Sequence, residues 1–575
     1  MRSKNAGADA EEAGPASTMV PTIFGSTCFG PAVVLLAIVL CCAAPTRAQV
    51  ASEQYVANFG EAGSSQPTAI VVDSAGNAFV TGRACVDAAC TDQEAVTIGY
   101  APLEYPFWKA WLKSPVGVAQ GVDIGIDAAS NSYVLYLLWQ KRDSSNQLTD
   151  PDVVTAKYNA DGVRQWINYL SSTSAVTRTP VKLSVSPSGD VYVSTIAASV
   201  PANTKSSVLT IKYSTTGQMQ WAQVSPPESN PLSVPIGIQQ DSQENVYVLV
   251  KSSCPSSGSV SSIILKYASN GTLLKSFGSE QIGDPVAFQV SPAGNSYAVG
   301  FTPAAPGATG NVMLAKFNPD GTLAWSSDLG STTGSPAVPQ PVALALDPKE
   351  DVFLGSEMVG SDMAAARMVA TKFDTGGSHL WTSTYDETVV TDADSVITIV
   401  ANIFGDLFVL GKSETTSDST RVPQILTVKF GLSGNVIWTE RYSADPAGDS
   451  PVSLATAGGQ NPFIAATRTA SPTHTDWVTI DYLESGATFN VSEIDVSGGQ
   501  FTASVINATE EELTNVSLNI INFDLVESNC TGTLAPGASC QFTVGFEDLD
   551  FEPDGFAAVF YNWAGLFQGQ SIPIL

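Results

Sequence analysis

The segment VKLSVSPSGDVYVST at residues 181–195 has the pattern of a β-strand, a polar turn and a second β-strand. Apolar residues alternate or run continuously on both sides of the turn, as they do in buried strands. Ser, Pro, Gly and Asp occupy the turn, where a positive φ or an Asx-type hydrogen bond is needed. The pattern recurs in AIVVDSAGNAFVTG (69–82), VAFQVSPAGNSYAVG (286–300) and VALALDPKEDVFLG (342–355). These segments indicate a repeated hairpin.

A second hairpin follows the first within each repeat. VVTAKYNADGVRQW ends at Trp166 and VMLAKFNPDGTLAW ends at Trp325. In these and three further copies, Lys-Tyr or Lys-Phe ends the incoming strand and a glycine stands four residues before the tryptophan. Two hairpins per repeat predict a module of four antiparallel strands. The copies end at Trp166, Trp221, Trp325, Trp381 and Trp438.

The repeat length determines the architecture that we expect. The aromatic residue after the first turn recurs at intervals of 50 to 59 residues, which defines eight modules. One four-stranded sheet cannot bury both of its faces, but sheets packed radially against their neighbours can. The sequence therefore predicts an all-β fold, an eight-bladed β-propeller of four-stranded blades. The eight aromatic positions are Phe79, Tyr133, Tyr192, Tyr247, Tyr297, Phe353, Phe408 and Phe463.

Module eight lacks a clear fourth strand after WVTIDY at residues 477–482. Residues 53–59 form an unassigned strand-like segment before module one, and we expect this segment to complete the last blade. Pairing the first strand with the last module would remove an open sheet edge. The alternative is a local fourth strand at residues 487–494.

The modules resemble the bacterial β-propeller repeats known as SBBP repeats, best in IVVDSAGNAFVTG and AKFNPDGTLAW. The resemblance covers about residues 70–482 and implies a propeller fold. It implies no activity, because the family has no shared catalytic residues. Two modules depart from the pattern. Module four has Lys275 in place of tryptophan, and module one replaces the Lys-Tyr and Asp-Gly signature with an aromatic-rich segment.

From residue 486 the period is lost, and short alternating strands with polar turns follow to residue 575. This spacing predicts a small Ig-like β-sandwich. The segment CTGTLAPGASCQFTVGF (530–546) resembles bacterial relatives of the abnormal-spindle/hydin-type Ig-like domains. Such domains usually serve as spacers or interaction modules. We therefore divide the chain into a leader at 1–48, a propeller at 49–485 and a sandwich at 486–575.

The leader has the features of a signal peptide. Basic residues precede the apolar run PAVVLLAIVLCCAA, and small residues precede the expected cleavage after Ala48. We expect a secreted or cell-envelope protein with no membrane span in the mature chain. In such a compartment Cys85–Cys90 and Cys530–Cys540 are candidate disulfides, which leaves Cys254 without an assigned role.

The chain is strongly acidic, with 26 basic and 55 acidic residues and a net charge of −29. Because phosphate binding requires clustered Lys and Arg, this charge excludes nucleic acid as an expected partner. We expect no cofactor. Calcium, attracted by the charge to turns such as Asp161–Gly162 and Asp320–Gly321, remains the alternative.

The sequence shows no catalytic constellation. It contains two histidines, His379 and His474, which argues against a Ser-His-Asp triad or a His-rich zinc site. Six lysines recur once per module, and we expect them to pair with turn carboxylates. They are Lys157, Lys212, Lys266, Lys316, Lys372 and Lys429.

Module one carries the candidate binding residues. We expect its aromatic side chains to lie together beside the Cys85–Cys90 segment, and exposed aromatics bind sugars or protein partners. The alternative is that they fill an irregular first blade. The candidate ligand-binding residues are Tyr105, Phe107, Trp108 and Trp111.

We therefore expect a monomeric, non-enzymatic exported scaffold that binds a protein, a glycan or the cell envelope. The alternative is an enzyme, such as a lyase, a glycosidase or a quinoprotein-like protein, with its site at the central channel. That alternative requires carboxylates or arginines that converge on the channel mouth from several blades.

Overall fold

The structure is a computed structural model, and every element that it describes is a β-strand. The predicted signal peptide lies outside the described residues. The description covers residues 51–573, except 102–105, 174, 200–204, 226–231, 255–258, 279–280, 304–309, 333–337, 360–365, 386–392, 418–419, 445–447, 458–460, 472–473, 485–486, 496–499, 508–511, 522–523, 537, 546–555 and 564–565.

Module one shows the repeating unit of the fold. Its strands β2 (Ser65–Val72), β3 (Ala78–Cys85), β4 (Gln93–Tyr100) and β5 (Pro106–Leu112) form an antiparallel sheet in chain order. Modules two to four repeat this order. Their strands are β6 (Ala119–Ile126), β7 (Ser132–Arg142), β8 (Leu148–Tyr158), β9 (Arg164–Ser171), β10 (Val176–Val185), β11 (Val191–Ser199), β12 (Ser206–Tyr213), β13 (Met219–Val224), β14 (Leu232–Gln240), β15 (Val246–Cys254), β16 (Ser259–Tyr267) and β17 (Leu273–Phe277).

Modules five to seven form sheets of the same order. A single parallel pair, Ser206 with Leu232, connects the sheets of modules three and four. The strands of modules five to seven are β18 (Asp284–Val290), β19 (Ser296–Phe301), β20 (Val312–Phe317), β21 (Leu323–Gly330), β22 (Gln340–Leu346), β23 (Val352–Val359), β24 (Ala366–Phe373), β25 (His379–Thr384), β26 (Ala393–Ala401), β27 (Leu407–Ser417), β28 (Thr420–Phe430) and β29 (Val436–Tyr442).

The N-terminal strand belongs to the last sheet of the repeat region. Strand β1 (Ala51–Phe59) pairs antiparallel with β32 (His474–Glu484), which places Phe59 opposite Trp477. The complete order is β1-β32-β31-β30, with β30 (Asp449–Ala457) innermost and β31 (Asn461–Ser471) beside it. The rival segment, β33 (Ala487–Asp495), pairs with β34 in a different sheet.

Buried clusters join each sheet to the next and finally join the last sheet to the first. One cluster combines Phe59, Phe463 and Trp477 of the last sheet with Ile70 and Val80 of module one. The first strands of neighbouring modules also contact one another, and β30 contacts β2. The sheets therefore form a closed ring with the first strand of each module innermost, which is the arrangement of a β-propeller.

Every innermost strand has an irregularity at the same place. The register of β2 shifts after Pro67, and in two modules Gly121 and Val396 occupy the equivalent position. Proline has no backbone N–H to contribute to a ladder, so it suits a bulge on an edge strand. The prolines at this position are Pro67, Pro180, Pro235, Pro285, Pro341 and Pro451.

The two ends of each sheet differ. Because the strands are antiparallel, the turns between strands one and two and between strands three and four lie at one end, which we call the turn face. The connections between strands two and three, and those from one sheet to the next, lie at the other end, which we call the loop face.

The C-terminal region forms two further sheets of four strands, ordered β33-β34-β38-β36 and β37-β35-β39-β40. A disulfide joins Cys530 to Cys540 in this region. The strands after β33 are β34 (Gln500–Asn507), β35 (Leu513–Ile521), β36 (Asp524–Ser528), β37 (Gly532–Leu534), β38 (Ser539–Gly545), β39 (Phe556–Trp563) and β40 (Leu566–Pro573).

Candidate functional site

The six recurring lysines lie near the turn face and are buried, with 1% to 8% of each residue exposed. Each ammonium lies over an aromatic ring on the second strand of its own module, 4.6 to 5.4 Å from the ring centroid. Lys372 over Phe353 is the shortest of these contacts, at 4.6 Å. A cation held over a ring and removed from water needs a nearby negative charge.

Turn carboxylates supply that charge, as the sequence predicted. Lys429 Nζ lies 3.0 Å from Asp406 Oδ2 in its own module. Some lysines also reach across to the next module, where Lys212 Nζ lies 3.6 Å from Glu244 Oε2. Four of the lysines therefore join neighbouring sheets, and the six together are buried and do not form a cationic surface. The four are Lys157, Lys212, Lys266 and Lys316. Burial alone would lower the pKa of Lys212, but the interactions of its ammonium with Asp190, 2.7 Å away, and with Tyr192 outweigh burial and raise the pKa.

Lys266 is the exception among the six. Its ammonium donates a 2.7 Å hydrogen bond to the carbonyl oxygen of Pro319 in the next module. Within the described part of the chain, no carboxylate lies within 4.0 Å of it. Burial lowers the pKa of this lysine, although the more distant Asp241 and Asp320 oppose the shift.

The tryptophans form a second set of contacts between modules. In five modules the indole N–H donates to a backbone carbonyl in the third-to-fourth-strand turn of the next module, as Trp166 does to Thr215 at 3.0 Å. The glycine two residues after the accepting carbonyl lies against the same indole ring. A Cβ on Gly217, which has a φ of +82°, would stand 2.7 Å from Trp166. The same arrangement joins Trp108 to Gly162, Trp221 to Gly271, Trp325 to Gly377 and Trp381 to Gly434.

Module four preserves this contact without a tryptophan. Phe277 takes the place of the indole ring, and a Cβ on Gly321 would stand 2.7 Å from its Cδ1. Lys275, which replaces tryptophan in the sequence, donates a hydrogen bond of 2.5 Å to the carbonyl of Asp320. The departure in module four is therefore a compensated substitution at the same interface.

The three candidate ligand-binding residues that the structure describes do not form one exposed surface. Trp108 is 8% exposed, stacks on Tyr158 at 5.9 Å and donates to the carbonyl of Ala160. Trp111 packs against Phe59 of β1 at 6.0 Å. Phe107 is 45% exposed, and Tyr105 lies outside the described residues.

Trp108 therefore fills the position of the repeated tryptophan, which sequence reasoning missed. A signal for it was present. In the other modules that have this tryptophan, it lies eight residues after the aromatic that ends the third strand, as Trp166 follows Tyr158. Tyr100 and Trp108 are separated by the same interval, although module one lacks the lysine before the aromatic and the Asp-Gly turn after it.

The expectation that these aromatics lie beside the Cys85–Cys90 segment was wrong for Phe107 and Trp108. Cys85 pairs with Gln93 at one end of β4, whereas Tyr100 pairs with Pro106 at the other end. Seven residues of extended strand separate the two ends by about 23 Å. The disulfide therefore lies at the loop face, and Phe107 lies near the turn face.

The loop closed by the disulfide between Cys85 and Cys90 contains hydrogen bonds of its own. The Asp87 carboxylate accepts from the hydroxyl of Thr91 at 2.7 Å and from the amide of Asp92 at 2.8 Å. These hydrogen bonds, with that of Thr91 the largest contributor, lower the pKa of Asp87. Val86 is 40% exposed at the start of this loop. We call residues 85–92 the disulfide loop.

A guanidinium group lies beside the disulfide loop. Arg83 donates from Nη2 to Gln66 Oε1 at 2.5 Å and from Nη1 to Gln93 Oε1 at 3.3 Å. The two amides fix the orientation of the guanidinium without neutralising its charge. Planar donors of this kind recognise carboxylates, sugar hydroxyls or backbone carbonyls.

Two carboxylates near the inner strands hold the backbone of the following sheet. Asp123 Oδ2 accepts a 3.0 Å hydrogen bond from the amide of Leu183, and Glu357 Oε1 accepts one of 2.9 Å from the amide of Val396. Burial is the main cause that raises the pKa of both carboxyl groups. These groups thus replace a missing strand partner at the inner edge of the ring.

The two histidines lie in strands. His379 begins β25 and contacts the hydroxyl of Thr382 at 2.8 Å, and His474 begins β32 and contacts Asp476 Oδ1 at 2.9 Å. Among the residues that the structure describes, no group of three or more His, Cys, Asp or Glu side chains is placed to hold a metal ion. Across the same residues, no helix has the length and hydrophobicity needed to cross a membrane.

No protein-family model matches the chain, and no curated protein matches it. The resemblance to SBBP repeats therefore stays a prediction. Among solved structures, the chain is similar to the β-propeller domain of the Trilobed protease from Pyrococcus furiosus, at 6% identity and a TM-score of 0.38, with 67% of this chain and 97% of that chain covered.

The chain is also similar to the WD40 domain of SCAP from fission yeast, at 12% identity and a TM-score of 0.32, with 74% and 95% of the two chains covered. A polysaccharide lyase described as PL25-Ulvanlyase matches at 8% identity and a TM-score of 0.36, with 73% and 94% covered. These similarities are weak, so the fold assignment rests on the strand pairing and the closed ring described above.

Proposed function

We propose that this chain is an exported β-propeller of eight four-stranded blades that binds a protein, a glycan or the cell envelope without catalysing a reaction. Its C-terminal sheets are proposed to form an Ig-like sandwich. The proposal rests on the positions and contacts of the repeated charged and aromatic side chains. The recurring lysines are buried in contacts within and between sheets, and five tryptophans of the repeat bond to the next module, so these side chains serve the scaffold. Binding then depends on the parts that differ between modules.

The blade count is supported by the agreement between the repeat and the sheets. Eight aromatic positions recur in the sequence, and each falls on the second strand of a four-stranded group. Export is supported by the two disulfides, because disulfides persist in oxidising compartments.

The disulfide loop is the binding surface that we propose. It stands at the loop face of module one, where its covalent closure and the hydrogen bonds to Asp87 reduce the entropy that binding would otherwise cost. Val86 offers an apolar contact, and Arg83 beside the loop offers an oriented cation. Among the described members of the aromatic group, Phe107 near the turn face is the one that is largely exposed, and it forms a second, separate candidate surface.

A binding comparison tests the proposal. Residues 49–575 would be applied to a glycan array and to a pull-down from cell-envelope extract, with and without EDTA. We expect Cys85→Ser with Cys90→Ser to weaken the strongest binding by about tenfold or more, since the loop must then be ordered on binding. The matched control is Cys530→Ser with Cys540→Ser, which removes the other disulfide and should leave binding unchanged.

Three outcomes would contradict parts of the proposal. Equal loss in both disulfide variants would mean that the disulfide loop is not the binding surface. Loss of binding in Phe107→Ala, with binding retained in both disulfide variants, would place the binding surface at the turn face. Consumption of a bound glycan would show that the protein is an enzyme.

A further inference from the structure

Module eight has an aspartate where six modules have the recurring lysine. Asp481 lies on β32, directly before Tyr482, as Lys429 lies directly before Phe430 on β28. Its backbone pairs with Phe463 on β31 and with Tyr55 on β1. The substitution therefore stands in the one sheet that the N-terminal strand completes.

The side chain of Asp481 is enclosed. The residue is 1% exposed, and its Oδ1 atom has no hydrogen-bond partner among the described residues. It lies two positions from Thr479 and four from Trp477, so it shares their side of the sheet. Trp477 packs in the cluster that joins the last sheet to module one. Asp481 is thus buried at the interface that closes the ring.

The elements around Asp481 bring it no described counter-charge. Strand β2, which packs against β31 and β32, contains no ionisable side chain. Its neighbouring Asp73 is occupied by the amides of Ala75 and Asn77. The ionisable groups on the elements of this interface are His474, Asp476, Tyr482 and Glu484 on β32, Arg468 on β31, Glu53 and Tyr55 on β1, Glu94 and Tyr100 on β4, and Lys109 on β5, whose ammonium lies 4.8 Å from the centroid of the Phe59 ring. Among the described ion pairs, none involves Asp481.

We propose that protonation of Asp481 controls how firmly the ring is closed: the neutral carboxyl holds β1 against β32, and the carboxylate loosens this pairing. An ionised carboxylate removed from water without a partner is unfavourable, so the interface favours the acid. The same charge is acceptable once β1 has separated and water reaches the group. Strand β1 therefore opens more often as Asp481 ionises.

The direction of the pH dependence follows from the two protonation states. Burial raises the pKa of Asp481 from 3.8 to about 7 in the folded protein. Below pH 3.8 the group is neutral whether β1 is paired or separated, and its contribution to closure is fully present. That contribution is lost progressively as the pH rises to about 7, and above this pH the loss is complete.

Hydrogen exchange of the full chain between pH 5.5 and pH 8 tests the proposal, after correction for the chemical exchange rate. We expect the protection of β1 amides to fall by more than about tenfold over this range. Strand β29, the outer strand of module seven, is the internal reference, and its protection should change little. In Asp481→Asn the fall in β1 should disappear, and Asp481→Ser provides the same test if the first variant folds poorly.

Asp476→Asn is the matched control, because Asp476 lies on the same strand but is half-buried and bonded to His474. This variant should retain the pH dependence of β1. The proposal is overturned if β1 protection in the wild type does not change with pH, or if it falls equally in Asp481→Asn.

Discussion

Replacing Lys372 with alanine is expected to lower the free energy of unfolding by about 3–5 kcal/mol, the cost of breaking a buried ion pair from one side. The Lys372 ammonium lies 3.2 Å from Asp347 Oδ2 and 3.3 Å from Asp351 Oδ2, with 5% of its side chain exposed. Asp347 has 1% of its side chain exposed, so the variant leaves its carboxylate buried without the cation. Chemical denaturation at neutral pH measures the difference.

An exposed pair provides the control for Lys372. Lys141 lies 3.0 Å from Asp150 Oδ2, with side chains 71% and 39% exposed. Lys141→Ala should cost less than about 1 kcal/mol, because water already screens this pair. Lys372→Met combined with Asp347→Asn and Asp351→Asn should recover part of the loss. Equal losses of unfolding free energy in Lys372→Ala and Lys141→Ala would show that the buried ion pairs of the recurring lysines do not stabilise the fold.

Replacing Gly377 with alanine is expected to cost about 2–4 kcal/mol, through backbone strain and overpacking together. Gly377 has a φ of +87°, and an added Cβ would stand 2.7 Å from Trp325 Cδ2 in the preceding module. The indole is fixed by its hydrogen bond to the carbonyl of Thr375, so it cannot move away freely. The melting temperature and the denaturation midpoint should both fall.

Gly278→Ala separates the two causes. Its φ is +100°, but the nearest atoms to an added Cβ, on Ile264 and Phe317, lie at 3.5 Å. This variant therefore has the backbone strain without the collision. A cost for Gly377→Ala no larger than that for Gly278→Ala would contradict the account of tryptophan packing between modules.

The repeat made the strands predictable from the sequence, because hydrophobic spacing and turn residues act locally. The partners across modules were not predictable. Gly162 and Trp166 stand four residues apart in one turn, yet Trp166 packs on Gly217 of the next module and Gly162 receives Trp108. The spacing of residues in the sequence predicts which side chains share a face of one strand. The contacts between modules depend instead on how one sheet packs beside the next.

Module one shows a further limit of the sequence. Its irregular composition suggested a shared aromatic surface, but strand direction separates the disulfide loop from Phe107 at opposite ends of β4. The importance of Asp481 was likewise hidden. Its position in the repeat can be read from WVTIDY, but its burial follows from the packing of module eight on module one.

The closure of the ring by β1 is the central claim, and a disulfide cross-link tests it most directly. Asn58 and Val478 are paired in register across β1 and β32. Asn58→Cys with Val478→Cys should form an intramolecular disulfide, identified by mass spectrometry of unreduced peptides. Asn58→Cys with Ile480→Cys, shifted by two residues, should not, because such diagonal positions are about 7–8 Å apart. Absence of the 58–478 link, or equal formation of both links, would contradict closure by the N-terminal strand.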